Sequence, residues 1–173
     1  MLGKEPLLNG EYPKIINEKQ YHRIMKLIEG ETAAFGGYGC EETLKIAPSI
    51  LPEVSWDSPV MQEEIFGPVL PVISYRRFSD AVRHIRQMEK PLALYLFTRN
   101  KKMEQWTLNN LAFGGGCIND TVIHLATSHL GFGGVGESGM GSYHGEYGFR
   151  TFSHRKSIVK KSTWMDLPIR NHP

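Results

Sequence analysis

Apolar side chains recur at helical spacing between residues 17 and 30. They are Tyr21, Ile24, Leu27 and Ile28. Residues three and four positions apart lie on one face of an α-helix, so this pattern predicts an amphipathic helix with one buried side. Asn17 is placed to cap its start, with Gln20 three residues later, and Gly30 is placed to end it.

Three shorter segments are predicted to be extended. Residues 33–37 indicate a short strand that runs into a glycine turn, and residues 46–54 contain two prolines that a helix interior excludes. The second of these segments is compatible with a parallel strand. Residues 69–75 are rich in β-branched and apolar side chains, and Pro71 places that strand at a sheet edge or at its own end.

A helix, a strand and a further helix are predicted next. Ser79 is a suitable N-cap for a helix. The inward face of that helix would carry Ala81, Val82, Ile85 and Met88. Residues 92–97 (LALYLF) are continuously apolar, which is typical of a strand buried on both faces. Asn100 then caps a helix that runs to Leu111, and Cys117 begins a short strand after three glycines.

The order of these segments alternates strands with helices. Such alternation is typical of α/β architectures, in which helices cover a sheet of parallel strands. We therefore predict an α/β fold with a mostly parallel sheet flanked by helices, whose crossover connections are right-handed.

Glycine makes up eight of the eighteen residues 131–148. The pattern GxGxxG occurs there twice, at residues 131–136 and 134–139. A dinucleotide-binding fingerprint needs an apolar strand before it and a helix that opens on its last glycine. Because residues 126–130 make a poor strand and residues 143–148 a poor helix start, we favour a loop whose glycines allow positive φ and close packing.

A last strand candidate lies near the end of the chain. It comprises residues 157–159 (SIV), and lysines flank it on both sides. Flanking charges of this kind are what an edge strand uses to avoid unwanted pairing.

The composition is that of an ordinary folded domain. A chain of 173 residues can bury a sizeable core. Twenty basic against eighteen acidic side chains lack the excess of a dedicated nucleic-acid binder. No apolar stretch approaches the ~20 residues of a bilayer-spanning helix, and residues 1–6 lack the basic start and apolar core of a signal peptide. We expect a cytoplasmic protein with no transmembrane segment and no nucleic-acid partner.

The histidines and cysteines indicate no metal site by their spacing. The seven histidines are His22, His84, His124, His129, His144, His154 and His172. His124 and His129 are five positions apart, whereas a helical zinc pair needs four. Cys40 and Cys117 form no CxxC motif, and neither has an evident base or cation beside it. We predict two reduced thiols without a catalytic role.

Candidate binding chemistry lies in residues 62–68 (QEEIFGP). A carboxylate beside an aromatic ring and a Gly-Pro turn can accept hydrogen bonds from two ribose hydroxyls while the ring lies against a flat heterocycle. The same residues also fit a solvated helix end. The motif alone leaves both interpretations open.

Three segments, in this order, resemble the class 3 branch of the aldehyde dehydrogenase superfamily. They are residues 61–71 (MQEEIFGPVLP), 90–97 (KPLALYLF) and 132–145 (FGGVGESGMGSYHG), the last followed by TFSHR at 151–155. The resemblance runs from Tyr12 to Pro168 and implies a partial catalytic domain. Residues 1–150 would form the C-terminal part of that domain, and residues 151–173 a tail with an oligomerisation strand. Gly131 departs from the proline that relatives usually carry there, which loosens the loop.

The resemblance also implies residue roles. Glu64 matches the glutamate that binds the nicotinamide ribose, and Phe66 matches the aromatic residue beside the nicotinamide. Asn119, His124 and Phe132 fall in segments that line the aldehyde pocket of relatives. The implied cofactor is NAD or NADP, which in this family accepts a hydride from a thiohemiacetal formed on a cysteine before water releases the carboxylic acid.

In relatives the nucleophilic cysteine, the general-base glutamate, the oxyanion-stabilising asparagine and the coenzyme domain lie upstream of the segment that resembles Tyr12. Neither Cys40 nor Cys117 matches the nucleophile. We therefore predict no catalytic residue in these 173 residues, weak or absent binding of NAD(P), and no activity of the chain by itself. The resemblance implies a homodimer formed through the tail strand. A non-catalytic oligomerisation or interaction module and a decayed gene fragment stay open as alternatives, and neither the aldehyde nor the choice between NAD and NADP follows from these residues.

Overall fold

The computed structural model describes residue 3 and residues 5–164. The chain divides into two compact units, Met1–Arg76 and Arg77–Pro173. Each unit contains a pair of parallel strands and at least one α-helix, so the α/β class predicted from the sequence is confirmed.

The N-terminal unit begins its regular structure with helix α1, Glu18–Leu27. The Asn17 side-chain oxygen accepts a hydrogen bond of 2.9 Å from the backbone N–H three residues later, and Gly30 adopts a φ of +83° just beyond the helix. Tyr21 and Ile24 are buried on its inner face. The predicted helix, its cap and its end are confirmed.

Two short pairs of strands follow α1. Strand β1 (Gly39–Cys40) pairs antiparallel with β2 (Lys45–Ile46). Strand β3 (Ser49–Leu51) pairs in parallel with β4 (Val69–Pro71). Pro71, which has no N–H to give to a ladder, is the last residue of β4, so it lies at a strand end as predicted, but the strand predicted over residues 69–75 is four residues too long.

The strand predicted at residues 33–37 does not form. Phe35 makes only an isolated bridge to Ile50, and Gly36 and Gly37 have φ values of +72° and +81°. A Cβ atom on Gly36 would collide with the carbonyl oxygen of Pro48. The chain turns tightly against its neighbour here, so the predicted glycine turn is correct and the predicted strand is wrong.

The core of the N-terminal unit packs α1 against these strands. Ile24, Ile46 and Leu51 are each at most 1% exposed. Burial of one such side chain stabilises a fold by roughly 1.5–3 kcal/mol. These contacts hold α1 firmly in place beside the segment that leads into β4.

Helix α2 of the C-terminal unit spans Phe78–Ile85. The prediction that Ser79 caps this helix is wrong, because the N-cap position belongs to Arg77 and Ser79 lies inside the first turn. The Arg77 guanidinium donates to the Asp80 carboxylate across the first turn, with Nε 2.8 Å from Oδ2. Val82 is buried as predicted, whereas Met88 lies beyond the helix and is 39% exposed.

A parallel pair of strands with an intervening helix follows. Strand β5 (Ala93–Leu96) pairs with β6 (Gly115–Ile118), and α3 (Lys101–Asn110) connects them. The Asn100 side chain accepts hydrogen bonds from the two N–H groups at the second and third positions after it, which confirms the predicted cap. Strand β6 begins at Gly115, two residues before the predicted start at Cys117. Gly116 lets β6 approach β5 closely, since a Cβ on Gly116 would collide with the carbonyl oxygen of Leu94.

Strand β5 is not buried on both faces, contrary to the prediction. Leu96 is 9% exposed, but Tyr95 is 37% exposed and Phe97, just after the strand, is 64% exposed. Within the part of the chain that the structure describes, β5 and β6 form a sheet of two strands. A continuous apolar run needs layers on both sides to bury it, and two strands leave part of it uncovered.

The glycine-rich segment is more regular than predicted. Phe132 bridges Tyr143, and the chain enters helix α4 at Gly145–Thr151. The interpretation of residues 143–148 as a poor helix start is therefore wrong. The Thr151 hydroxyl donates to the carbonyl oxygen of Ser142 at 2.7 Å, so contacts between α4 and the preceding loop supply what local sequence preference lacks.

The strand predicted at residues 157–159 does not form in the single chain. Ile158 and Val159 are 76% and 95% exposed. Among the residues described, no helix has the length and apolar character needed to cross a membrane.

Candidate functional site

A cavity of about 920 Å³ lies in the N-terminal unit between the start of α1 and the turn formed by residues 63–66, which we call the EEIF turn. The lining residues are Lys14, Ile15, Ile16, Asn17, Gln20, Arg23, Glu63, Glu64 and Phe66. The wall therefore combines aliphatic, aromatic, cationic and anionic groups, the mixture expected of a site for a polar molecule with a flat apolar part.

Glu64 and Phe66 both face this cavity. Glu64 is exposed, and Phe66 is 80% exposed. Phe66 also has a φ of +51°, in the left-handed region that residues with a Cβ seldom adopt. An exposed ring in an unfavourable backbone conformation contributes little to the core, so its placement is better explained by what it presents to the cavity.

Arg23 of α1 holds the EEIF turn through its two terminal guanidinium nitrogens, while its Nε bonds within α1. Nη1 donates to the Glu63 carboxylate at 2.7 Å and, at 3.4 Å, to the carbonyl oxygen of Glu64. Nη2 donates to the carbonyl oxygen of Ile65 at 2.6 Å, and Nε donates to the Gln20 side chain at 2.6 Å.

Gly67 and Pro68 anchor the end of the same turn. A Cβ on Gly67 would lie 2.8 Å from Cδ1 of Ile24, a side chain that is 0% exposed. The carbonyl oxygen of Pro68 accepts a hydrogen bond of 2.8 Å from the backbone N–H of Ser49. The turn is thus held by α1 on one side and by β3 on the other.

Asn119 follows β6 and is engaged with the backbone. Its side-chain oxygen accepts from the Thr98 N–H at 2.7 Å, and its amide nitrogen donates to the Thr98 carbonyl oxygen at 2.9 Å. Asn119 has a φ of +59°. The two hydrogen bonds tie the end of β6 to the segment that follows β5.

His124 and Phe132 are brought together by ring contacts. Their centroids are 6.2 Å apart, and the centroid of Tyr95 lies 5.7 Å from that of His124. Phe132 in turn stacks on His144 at 5.8 Å and contacts Tyr143 edge-on at the same distance. The two predicted residues therefore belong to one aromatic cluster, which also includes His144, a residue that the sequence analysis did not single out.

A second cavity, of about 360 Å³, lies beside this cluster in the C-terminal unit. Glycines of the 114–116 and 131–141 segments form most of its wall, together with His124, Ser142 and Tyr147. The Nδ1 atom of His124 lies 3.6 Å from the Cys117 thiol. Its Nε2 atom is buried and has no hydrogen-bond partner within the described chain.

Arg23 and Lys14 also line the cavity, although no motif in the sequence marks them as site residues. Arg23 contacts residues about 40 positions further along the chain, and a single cation on a helix carries no local sign of such a partner. Among the residues that the structure describes, no three histidine, cysteine or acidic side chains are grouped as metal ligands would be.

Comparison with known proteins places this arrangement in a family. The sequence profile of the aldehyde dehydrogenase family matches residues 11–158. The chain belongs to that family. Its relatives include family 3 member A2 of Rattus norvegicus, at 45% identity over 159 residues, and family 3 member H1 of Arabidopsis thaliana, at 42% over 175 residues, so the predicted class 3 resemblance is confirmed.

Further relatives show how much of an aldehyde dehydrogenase the chain represents. The 4,4'-diaponeurosporen-aldehyde dehydrogenase of Staphylococcus aureus is 47% identical over 165 residues, which cover 94% of this chain and 36% of that enzyme. The dimeric, NADP-preferring aldehyde dehydrogenase of Bos taurus is 48% identical, over 91% of this chain and 66% of the relative. The 173 residues thus span little more than a third of the Staphylococcus aureus enzyme.

Solved structures agree with the observed fold. The substrate-bound aldehyde dehydrogenase of Staphylococcus aureus matches with a TM-score of 0.90 at 45% identity, over 99% of this chain and 38% of that one. The NAD+ complex of the Bacillus cereus enzyme matches with a TM-score of 0.76 at 29% identity, over 87% of this chain and 32% of that one. The fold is therefore a part of the aldehyde dehydrogenase fold.

Proposed function

We propose that these residues are the C-terminal part of the catalytic domain of an NAD(P)-dependent aldehyde dehydrogenase, and that the cavity beside the EEIF turn holds the nicotinamide riboside end of the cofactor. The parent reaction oxidises an aldehyde to a carboxylic acid. The observation that carries the proposal is the joint position of Glu64 and Phe66, both exposed on the wall of one cavity.

The chemistry of the wall fits such a ligand. A carboxylate accepts hydrogen bonds from a pair of ribose hydroxyls, which are donors at adjacent positions. An exposed phenyl ring offers a flat apolar face to a pyridine ring. Ligand cavities commonly have volumes of about 300–1,000 Å³, and this one, at about 920 Å³, falls in that range. When bound, NAD(P) supplies the hydride acceptor, and the residues named here bind and orient it.

A binding experiment tests this proposal. Nicotinamide mononucleotide, which carries the ring, the ribose and one phosphate, is titrated into the chain and followed by NMR. We expect the wild type to bind it weakly, and Phe66→Ala and Glu64→Gln each to weaken binding further. Phe152→Ala and Glu29→Gln are matched controls, because both residues are exposed and line no part of the cavity. Equal affinity in all five proteins would reject the assignment.

The chain by itself is expected to have no dehydrogenase activity. Positioning residues act only when a nucleophile is held near them, and loss of the whole nucleophile removes the covalent route rather than slowing it. Neither Cys40 nor Cys117, the two cysteines of these 173 residues, lines the cavity. Formation of NADH or NADPH from benzaldehyde by purified residues 1–173 would contradict this expectation.

A second role, self-association through the tail, is favoured by the exposure of Ile158 and Val159. Two neighbouring β-branched side chains that are 76% and 95% exposed can add a strand to a second copy. We propose a homodimer formed in this way. A chain that ends at Ser153 keeps α4, so its mass by size exclusion with light scattering should be that of a monomer, while the full chain is a dimer. Ile158→Glu with Val159→Glu should have the same effect, and a dimer that survives both changes would exclude the tail as the interface.

A further inference from the structure

We infer that Arg23 is a positioning residue, which holds the EEIF turn in the conformation that presents Glu64 and Phe66 to the cavity. The inference rests on the proposed function, because it concerns the same site. It adds a residue from α1 to a site that the sequence motif confines to residues 62–68.

The hydrogen bonds of Arg23 are the first reason. Its guanidinium group reaches the carbonyl oxygens of two consecutive residues, Glu64 at 3.4 Å and Ile65 at 2.6 Å. In an extended chain consecutive carbonyl groups point to opposite sides, so one planar group bonds both only where the backbone bends. The bend that Arg23 stabilises is therefore the one immediately before Phe66.

The backbone of Phe66 is the second reason. A φ of +51° is disfavoured for a residue with a Cβ and persists only when its surroundings determine it. The ring itself is 80% exposed and cannot supply that constraint. The short hydrogen bond from Arg23 to the preceding carbonyl oxygen of Ile65 can, with Gly67 packed on Ile24 at the other side.

Charge is the third reason. The Arg23 side chain pairs with the Glu63 carboxylate at 2.7 Å and is 25% exposed. It contacts Glu64 through the backbone carbonyl rather than through the carboxylate. Arg23 thus engages one of the two adjacent acidic side chains and leaves the other, Glu64, directed at the ligand.

The support behind Arg23 makes the arrangement stiff. Its neighbour Ile24 is fully buried in the core, and its Nε is fixed by Gln20 one turn earlier at 2.6 Å. A group that is held by a helix and by a second side chain loses little freedom when it binds the turn, which is how sites are preorganised.

The test compares Arg23→Gln, Arg23→Lys and the wild type in the full 173-residue chain. Two quantities are measured by NMR: the HN–Hα and HN–Cβ couplings of Phe66, which report its φ, and the affinity for nicotinamide mononucleotide. Lys19→Gln is the matched control, because it removes the same charge from an exposed position of α1. Circular dichroism checks that α1 persists.

We expect Arg23→Gln to lose the left-handed φ of Phe66 and to bind the mononucleotide about tenfold more weakly, as loss of several hydrogen bonds implies. Arg23→Lys should retain part of both properties, and Lys19→Gln should behave as the wild type. Glu63→Gln, which weakens the ion pair of Arg23 at the cavity wall, should reduce affinity by about twofold and serves as the second variant if Arg23→Gln does not fold.

The outcomes separate the two proposals. An unchanged Phe66 φ and unchanged affinity in Arg23→Gln would overturn the positioning role. If the wild type fails to bind the mononucleotide while Arg23→Gln still alters Phe66, the nicotinamide assignment falls and the hold of Arg23 on the turn stands.

Discussion

At the scale of single residues, stability depends on the small size of Gly67 and on the hydrogen bonding of the buried His124. Gly67 lies where any side chain would meet Ile24, and Ile24 has no exposed surface into which to move. His124 is the reverse case, since it is buried but its Nε2 has no hydrogen-bond partner among the described residues. These two positions give opposite expectations for stability.

Gly67→Ala should destabilise the N-terminal unit. The new Cβ would lie 2.8 Å from Ile24 Cδ1, closer than a carbon–carbon contact allows, so the fully buried Ile24 side chain would have to move within the core. Overpacking of this kind costs about 1–3 kcal/mol of the free energy of unfolding. Gly10→Ala is the control, because a Cβ there meets nothing within 4 Å. Denaturation by urea measures both, and equal stabilities would show that α1 yields to the methyl group.

His124→Leu should leave the free energy of unfolding unchanged or raise it by about 1 kcal/mol, although it removes a buried ring. A buried polar atom without a partner costs about 1–3 kcal/mol, which offsets the loss of two aromatic contacts of about 0.5–1.5 kcal/mol each. His129→Leu, at an exposed position, controls for the change of residue type. A decrease in the free energy of unfolding of about 2 kcal/mol or more is what loss of a satisfied hydrogen bond would cause. That result would mean that Nε2 has a partner in solution.

At the scale of elements, helix starts decide which local predictions hold. Asn17 and Asn100 accept hydrogen bonds from the free N–H groups of α1 and α3, as their type and position predict. Ser79 is of the right type too, yet the N-cap position of α2 lies two residues earlier, at Arg77, whose side chain forms an ion pair with Asp80 across the first turn. A capping residue type therefore marks a helix start only where its side chain bonds the free N–H groups of the first turn.

Asn100→Ala is therefore expected to cost about 0.5–2 kcal/mol of the free energy of unfolding. Ser79→Ala should cost less than about 0.5 kcal/mol, the range of an ordinary surface change, because Ser79 makes no cap. Thermal and urea unfolding of the two variants provide the comparison. A larger loss from Ser79→Ala than from Asn100→Ala would contradict the assigned caps.

At the scale of the whole molecule, many large apolar side chains of the described residues are exposed to solvent. Phe97, Phe149 and Phe152 are among them, at 64%, 72% and 87%. Exposed apolar surface of this extent marks sites of association.

Residues 1–173 in isolation should therefore bind the dye ANS and self-associate at micromolar concentrations. Both effects follow from apolar surface exposed to water. ANS fluorescence should therefore decrease when self-association buries that surface. Fluorescence titration and sedimentation at several concentrations measure them. A monomeric chain without ANS enhancement would show that the exposed aromatic residues cover one another in solution.

Local features were predictable because their physical causes lie within a few residues. The ends of α1 and α3, the end of β4 at Pro71 and the glycine turn at residues 36–37 all depend on capping groups or on φ values that neighbouring residues determine. Helix α4 and the missing strands at residues 33–37 and 157–159 depend on distant contacts. Helix α4 is bound by the preceding loop through Thr151 and Ser142, and residues 157–159 pair with no strand among the residues that the structure describes.

The candidate site shows the same division. The motif at residues 62–68 and its family resemblance were sufficient to identify Glu64 and Phe66 as binding candidates, because their chemistry is carried by adjacent residues. The tertiary structure alone decided that both line one cavity with the start of α1, that Arg23 binds the turn from 40 positions away, and that the ends of Asn119 are occupied by Thr98. Caps and turns are short-range hydrogen bonds and can be read from a few letters, whereas a cavity is made by packing side chains that are far apart in the chain.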